Sequence, residues 1–209
     1  METGLLIVIA LSALLEIRAE LVGSRRQIYL FKPLTTALIL GLALLQPWHT
    51  PTEYVWAIVA GLLFSLLGDV MLMLPGDRFV VGLAAFLLAH VCYIVAFALR
   101  APWGLNALPL LGCVALLAFA YLYVARRAGP MRGPVAVYAL VIIAMLYGAW
   151  ACWYALGGKQ PLLAVLGACL FVASDLTLAI NRFVRPVRAA RLGVMATYYA
   201  AQCLIALSA

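Results

Sequence analysis

Eight apolar runs, each close to the ~20 residues that carry a helix across ~30 Å of hydrocarbon, fill this sequence of 209 residues. They lie near 4–22, 28–45, 54–74, 79–99, 105–125, 135–156, 161–181 and 190–208. Alternating strands of about ten residues, the mark of an outer-membrane barrel, are absent. Helices are then the way to satisfy the backbone in lipid. The expected fold is an all-α membrane protein, a compact bundle of about eight transmembrane helices in one integral membrane domain spanning 1–209. Apolar residues make up 68% of the chain and charged residues 10%, which leaves no soluble domain.

Turn chemistry marks the breaks: Gln46-Pro47-Trp48-His49-Thr50-Pro51, Pro75-Gly76-Asp77, Ala101-Pro102-Trp103-Gly104, Gly129-Pro130 and Gly157-Gly158. Such short connections predict that consecutive helices are antiparallel neighbours. Of the fourteen lysines and arginines, all but Arg100 and Lys159 fall on the side of connections 1–2, 3–4, 5–6 and 7–8. The positive-inside rule places that side in the cytoplasm and both termini outside it. A basic rim facing anionic headgroups explains the net charge of +7 without nucleic acid as a partner. The first run carries Glu2 where a signal peptide is basic, and charges follow it directly, so it is expected to remain as a helix.

The five cysteines lie inside runs with no Cys-x-x-Cys, which predicts small packing residues rather than disulfides or a thiolate metal site. Two histidines, His49 in a break and His90 in a run, are too few for a three-histidine zinc centre. No Gly-x-Ser-x-Gly elbow or phosphate loop is present. No metal and no organic cofactor are expected.

An internal similarity divides the chain. Gly61-Leu-Leu-Phe-Ser-Leu-Leu-Gly-Asp69-Val-Met-Leu72 and Gly167-Ala-Cys-Leu-Phe-Val-Ala-Ser-Asp175-Leu-Thr-Leu178 share a Gly eight residues before the Asp and a Leu three after it. Both run into Arg-Phe, at Arg78-Phe79 and Arg182-Phe183. The segments end the third and seventh runs, so they point the same way. This suggests two four-helix halves, with Asp69 and Asp175 at matched depth and able to face one cavity.

An ionisable group in a span costs roughly 2.5–3.5 kcal/mol at mid-helix, so each is a functional candidate. Here they are Glu16, Lys32, Asp69, His90 and Asp175, with Ser65, Tyr93, Ser174, Asn181, Tyr198, Tyr199 and Gln202 as uncharged companions. Ser65 and Asp69 share a helix face that Gly61 continues, opening it to close helix approach. His90 with Tyr93, and Tyr198 and Tyr199 with Gln202, group likewise. Plainer readings stand beside these. The aspartates can anchor topology against interfacial arginines, and His90 can bridge helices. Tyr198 and Tyr199 can be packing residues. Lys32, opening the second span before Pro33, can snorkel to headgroups. Glu16 can pair locally with Arg18.

Lys32-Pro33-Leu34-Thr35, Ser65-Leu-Leu-Gly-Asp69, Phe86-Leu-Leu-Ala-His90-Val-Cys-Tyr93, Phe171-Val-Ala-Ser-Asp175 and Tyr198-Tyr-Ala-Ala-Gln202 resemble, in order and spacing, the signature blocks of the YhhN family. Its characterised members are lysoplasmalogenases. The resemblance implies hydrolysis of the vinyl ether bond of a lysoplasmalogen, giving a fatty aldehyde and a glycerophospho-alcohol, with a membrane lipid as substrate. Carboxylate acid/base catalysis by Asp69 and Asp175 suits that bond. Lys32, Ser65, His90, Tyr93, Asn181, Tyr198, Tyr199 and Gln202 are the candidates for binding or orienting the substrate. The compact chain fits a bacterial inner membrane. Repeated halves with intramembrane carboxylates and a His are also what a proton-coupled small-molecule or lipid transporter shows, and a non-catalytic lipid-binding protein is a third reading.

Overall fold

The computed structural model describes residues 2–46, 52–76 and 78–209; the break at 47–51 with His49, and Asp77, lie outside the described residues. Among those described, eight α-helices run in order: α1 Glu2–Val22, α2 Arg25–Leu45, α3 Thr52–Met73, α4 Phe79–Arg100, α5 Ala107–Phe119, α6 Arg132–Leu156, α7 Lys159–Phe183 and α8 Ala190–Leu207. Alpha5 continues into a π-helical turn, Ala120–Val124, and a 3₁₀ turn, Ala125–Arg127.

Among the described residues, seven helical segments are long and apolar enough to cross a membrane. The exception, α1, has the length but carries Glu16, Arg18 and Glu20 in its second half. The expected breaks are confirmed where they are described. Gly76, Gly129, Gly157 and Gly158 all take positive φ, which lets these connections turn tightly. All five cysteines are free.

The packing follows the repeat. The most extensive pairs are α3 with α4 and α7 with α8, and the halves join through α4 on α6 and α2 on α8. Glycines set these distances. A Cβ on Gly61 would lie 2.3 Å from the Tyr93 ring, and one on Gly167 would lie 2.9 Å from the Ala201 carbonyl oxygen. Both contacts lie far inside van der Waals distance: at Gly167 the backbone of α8 itself approaches, whereas at Gly61 the Tyr93 ring fills the space a side chain would take.

The repeat fails at one place, and that failure makes the cavity. Alpha1 packs against α8, whereas its counterpart α5 rests on α6 and makes no comparable contact with α4. The expectation that all consecutive helices are packed neighbours is therefore corrected at α4–α5. The connection after Ala101 runs without helical turns to Asn106, long enough to carry α5 to the outside. There Leu108 and Leu111 are exposed on an apolar surface. The gap beside α4 is left open.

Candidate functional site

A cavity of about 520 Å³ occupies this gap and reaches across the bundle to α2 and α3. That size lies within the ~300–1,000 Å³ of ordinary ligand sites. Its apolar wall includes Leu83 and Phe86 of α4, Leu116 and Ala120 of α5, and Ile142 and Ile143 of α6. Ala120 and Val124 reach it from the π-helical turn, where the extra residue per turn redirects side chains. At the end where the arginines gather, Arg78, Arg182 and Arg191 line it beside Asn181.

Asp69 and Asp175 both line this one cavity. Asp69 is 1% exposed. Its Oδ2 accepts the Thr36 hydroxyl of α2 at 2.6 Å and the Tyr198 hydroxyl of α8 at 2.7 Å. Asp175 has a side chain 16% exposed, and its Oδ2 lies 3.8 Å from His90 Nε2 of α4, beyond hydrogen-bonding distance. The same oxygen accepts the Tyr138 hydroxyl of α6. The two sites mirror each other. Each aspartate takes a hydroxyl from the helix before it in its own half, and meets a polar ring from the last helix of the other half. The environments nevertheless differ. Asp69 has two donors and lies within electrostatic reach of Lys32, behind the seal of α1 on α8. Asp175 has one hydroxyl donor and faces the opening.

The other expected residues divide. Lys32, Ser174, Asn181 and Tyr198 line the cavity with the aspartates. Asn181 stands at the rim, where its side-chain oxygen accepts the Val187 N–H at 3.0 Å. His90 is fully buried behind Asp175, packed edge-on to Phe171 and Tyr138. Tyr93 donates its hydroxyl to Gln202 Oε1 at 2.7 Å, which ties α4 to α8 beneath the cavity. Ser65 and Tyr199 are buried away from it. Ser174 holds the Val194 carbonyl.

Two plainer readings are corrected. Lys32 does not open α2 and snorkel outward. The helix begins at Arg25, two turns earlier, which turns Lys32 inward at 5% exposure and puts Pro33 inside the helix. Proline removes one backbone bond there, and nearby Thr35 donates its hydroxyl to the Phe31 carbonyl at 2.7 Å. Glu16 does not pair with Arg18. Residues two apart on a helix face different ways, so Glu16 is fully buried while Arg18 is exposed.

Sequence reasoning missed Thr36 and Tyr138, the hydroxyl partners of the aspartates. Thr36 was within sight, next to the Lys-Pro-Leu-Thr block. Tyr138 stands in an apolar run with no polar residue one turn away, and nothing local singles it out.

Fold and site together define a helical membrane protein with an internal cavity that joins two carboxylates, an apolar wall and a basic rim. The chain belongs to the YhhN family, whose model matches residues 27–209. The bovine protein named lysoplasmalogenase TMEM86A is 40% identical over 156 residues, 73% of this chain and 64% of its own length. The human lysoplasmalogenase TMEM86B is 40% identical over 160 residues, 75% of this chain and 64% of its own. The membrane protein YhhN of Escherichia coli O157:H7 is 31% identical over 203 residues, 95% of each chain. The matches to the two mammalian relatives thus span slightly less than two thirds of those proteins. No solved structure matches.

Proposed function

We propose that this protein is a membrane-embedded hydrolase that cleaves the vinyl ether bond of lysoplasmalogen-type lysophospholipids. The products are a fatty aldehyde and a glycerophospho-alcohol. The observation that carries the reading is the shared cavity: both aspartates line it, apolar walls lead away from them, and arginines stand at its rim. The similarity to proteins named lysoplasmalogenase supports the choice of substrate. A single alkenyl chain lies along the α4–α5–α6 wall, and the phosphate meets Arg78, Arg191 and Asn181.

The chemistry follows from the bond. Neutral Asp175, on the open side, protonates the β-carbon of the vinyl ether, and an oxocarbenium ion forms. Asp69, surrounded by hydroxyl donors and near Lys32, is the anion that stabilises this cation and takes a proton from the attacking water. The product is a hemiacetal. It collapses when Asp175 takes back a proton from its hydroxyl and Asp69 hands its proton to the departing glycerol oxygen. Both carboxyl groups return to their starting states, and only water is consumed. Tyr138 and Tyr198 hold the two carboxyl groups in place throughout.

Incubation of the purified protein with a 1-alkenyl lysophosphoethanolamine is expected to release free aldehyde, and the 1-acyl analogue is expected to release none. No aldehyde from folded protein would remove the reading. The basic end faces the cytoplasm in this scheme, so the C-terminus lies outside; a reporter fused to it that reads cytoplasmic would overturn that orientation.

A further inference from the structure

Glu16 is a buried carboxylate that the mechanism leaves without a task. It is fully buried, and neither of its oxygens has a hydrogen-bond partner among the described residues. An unpaired charge in such a place is costly, which makes its surroundings informative.

Helix register places it opposite Lys32. The Ser12 and Thr35 hydroxyls are 2.7 Å apart, which fixes the level at which α1 meets α2. The two helices are antiparallel. One turn onward from Ser12 on α1 is Glu16, and about one turn back from Thr35 on α2 is Lys32. Both therefore face the same interhelical space, one turn nearer the basic end. Lys32 is within electrostatic reach of Glu16 on one side and of Asp69 on the other. The remaining neighbours do not replace it. The Tyr199 hydroxyl of α8 also senses Glu16, while Glu20, a turn further along α1, is engaged by Arg191 of α8 at 3.7 Å.

We infer that Glu16 is a positioning residue for the proposed hydrolysis: it holds the Lys32 ammonium in place beside Asp69, so that α1 steadies the anionic partner of the catalytic pair. The inference rests on the hydrolase reading. It gives a reason for a carboxylate in the one helix too charged to count as an apolar span, and it lies outside the residues matched by the family model. A lysine stem is long and flexible, and a second carboxylate behind it limits the directions its charge can take.

The test is a double-mutant cycle read by steady-state vinyl ether turnover. Glu16→Gln is expected to lower kcat about tenfold while KM changes by less than about twofold, because Glu16 touches no substrate. Glu16→Asp is expected to recover most of that loss. On a Lys32→Met background, Glu16→Gln is expected to cost nothing more, since its action passes through the missing ammonium. If Glu16→Gln does not yield folded protein, Glu16→Leu, apolar and of similar volume, takes its place in the cycle. Wild-type kcat in the Glu16 variant, losses that multiply in the double variant, or an effect confined to KM would each overturn the inference. A wild-type protein without turnover would overturn the hydrolase reading itself, so the two failures are distinct.

Discussion

Asp175→Asn is expected to lower kcat for vinyl ether cleavage by about 10³-fold, within the ~10²–10⁴ that a positioned general acid contributes. An amide cannot protonate the β-carbon, and that step creates the cation on which all later steps depend. The variant should still fold. Its carbonyl oxygen can take the place of Oδ2 and accept the Tyr138 hydroxyl, and the cavity that Asp175 lines leaves room for the NH₂ group. Aldehyde release from protein with an unchanged thermal midpoint separates chemistry from folding. Full activity would remove Asp175 from the mechanism.

Asp69→Asn is expected to cost about 10²–10³-fold in kcat, the range for losing a preorganised charge opposite a developing one. Here the missing quantity is a negative charge rather than a proton. The amide oxygen can still accept Thr36 and Tyr198 when it occupies the Oδ2 position, but the NH₂ group then stands in the field of Lys32. Some loss of stability is therefore expected here and not at Asp175. The two substitutions together should cost little more than Asp175→Asn alone, because the groups act as one unit. Multiplied losses would mean that they serve separate steps. A transporter predicts a different outcome: pH-driven flux in proteoliposomes without aldehyde formation.

The helices were legible because lipid enforces a simple rule. A span must be apolar along ~20 residues and its ends must turn, so composition and Gly/Pro punctuation locate both. The same rule exposed Asp69, Asp175, Lys32 and His90, since an ionisable group in such a run needs a reason. The repeat around Gly61 and Gly167 foretold a shared level for the aspartates, and the structure has them lining one cavity. Hydroxyls were less legible. A tyrosine such as Tyr138 or a threonine such as Thr36 is tolerated on a lipid face and in a core alike, so its presence in a run carries little signal. Glu16 was misread because a nearby arginine in sequence is not a nearby arginine on a helix.

What the sequence by itself determined is the material and its periodicity: eight helices, their short connections, a basic end, and two carboxylates at matching positions of the repeat. Tertiary structure alone decided how unlike those carboxylates are. Alpha1 closes on α8 while α5 swings away from α4, so one aspartate is sealed among donors and the other faces an open gap. Spacing along a chain specifies which side chains share a helix face, but not which helix will lie opposite. That choice belongs to the packing of small residues such as Gly61 and Gly167 and to the reach of the Ala101–Asn106 connection, and these act only once the helices meet.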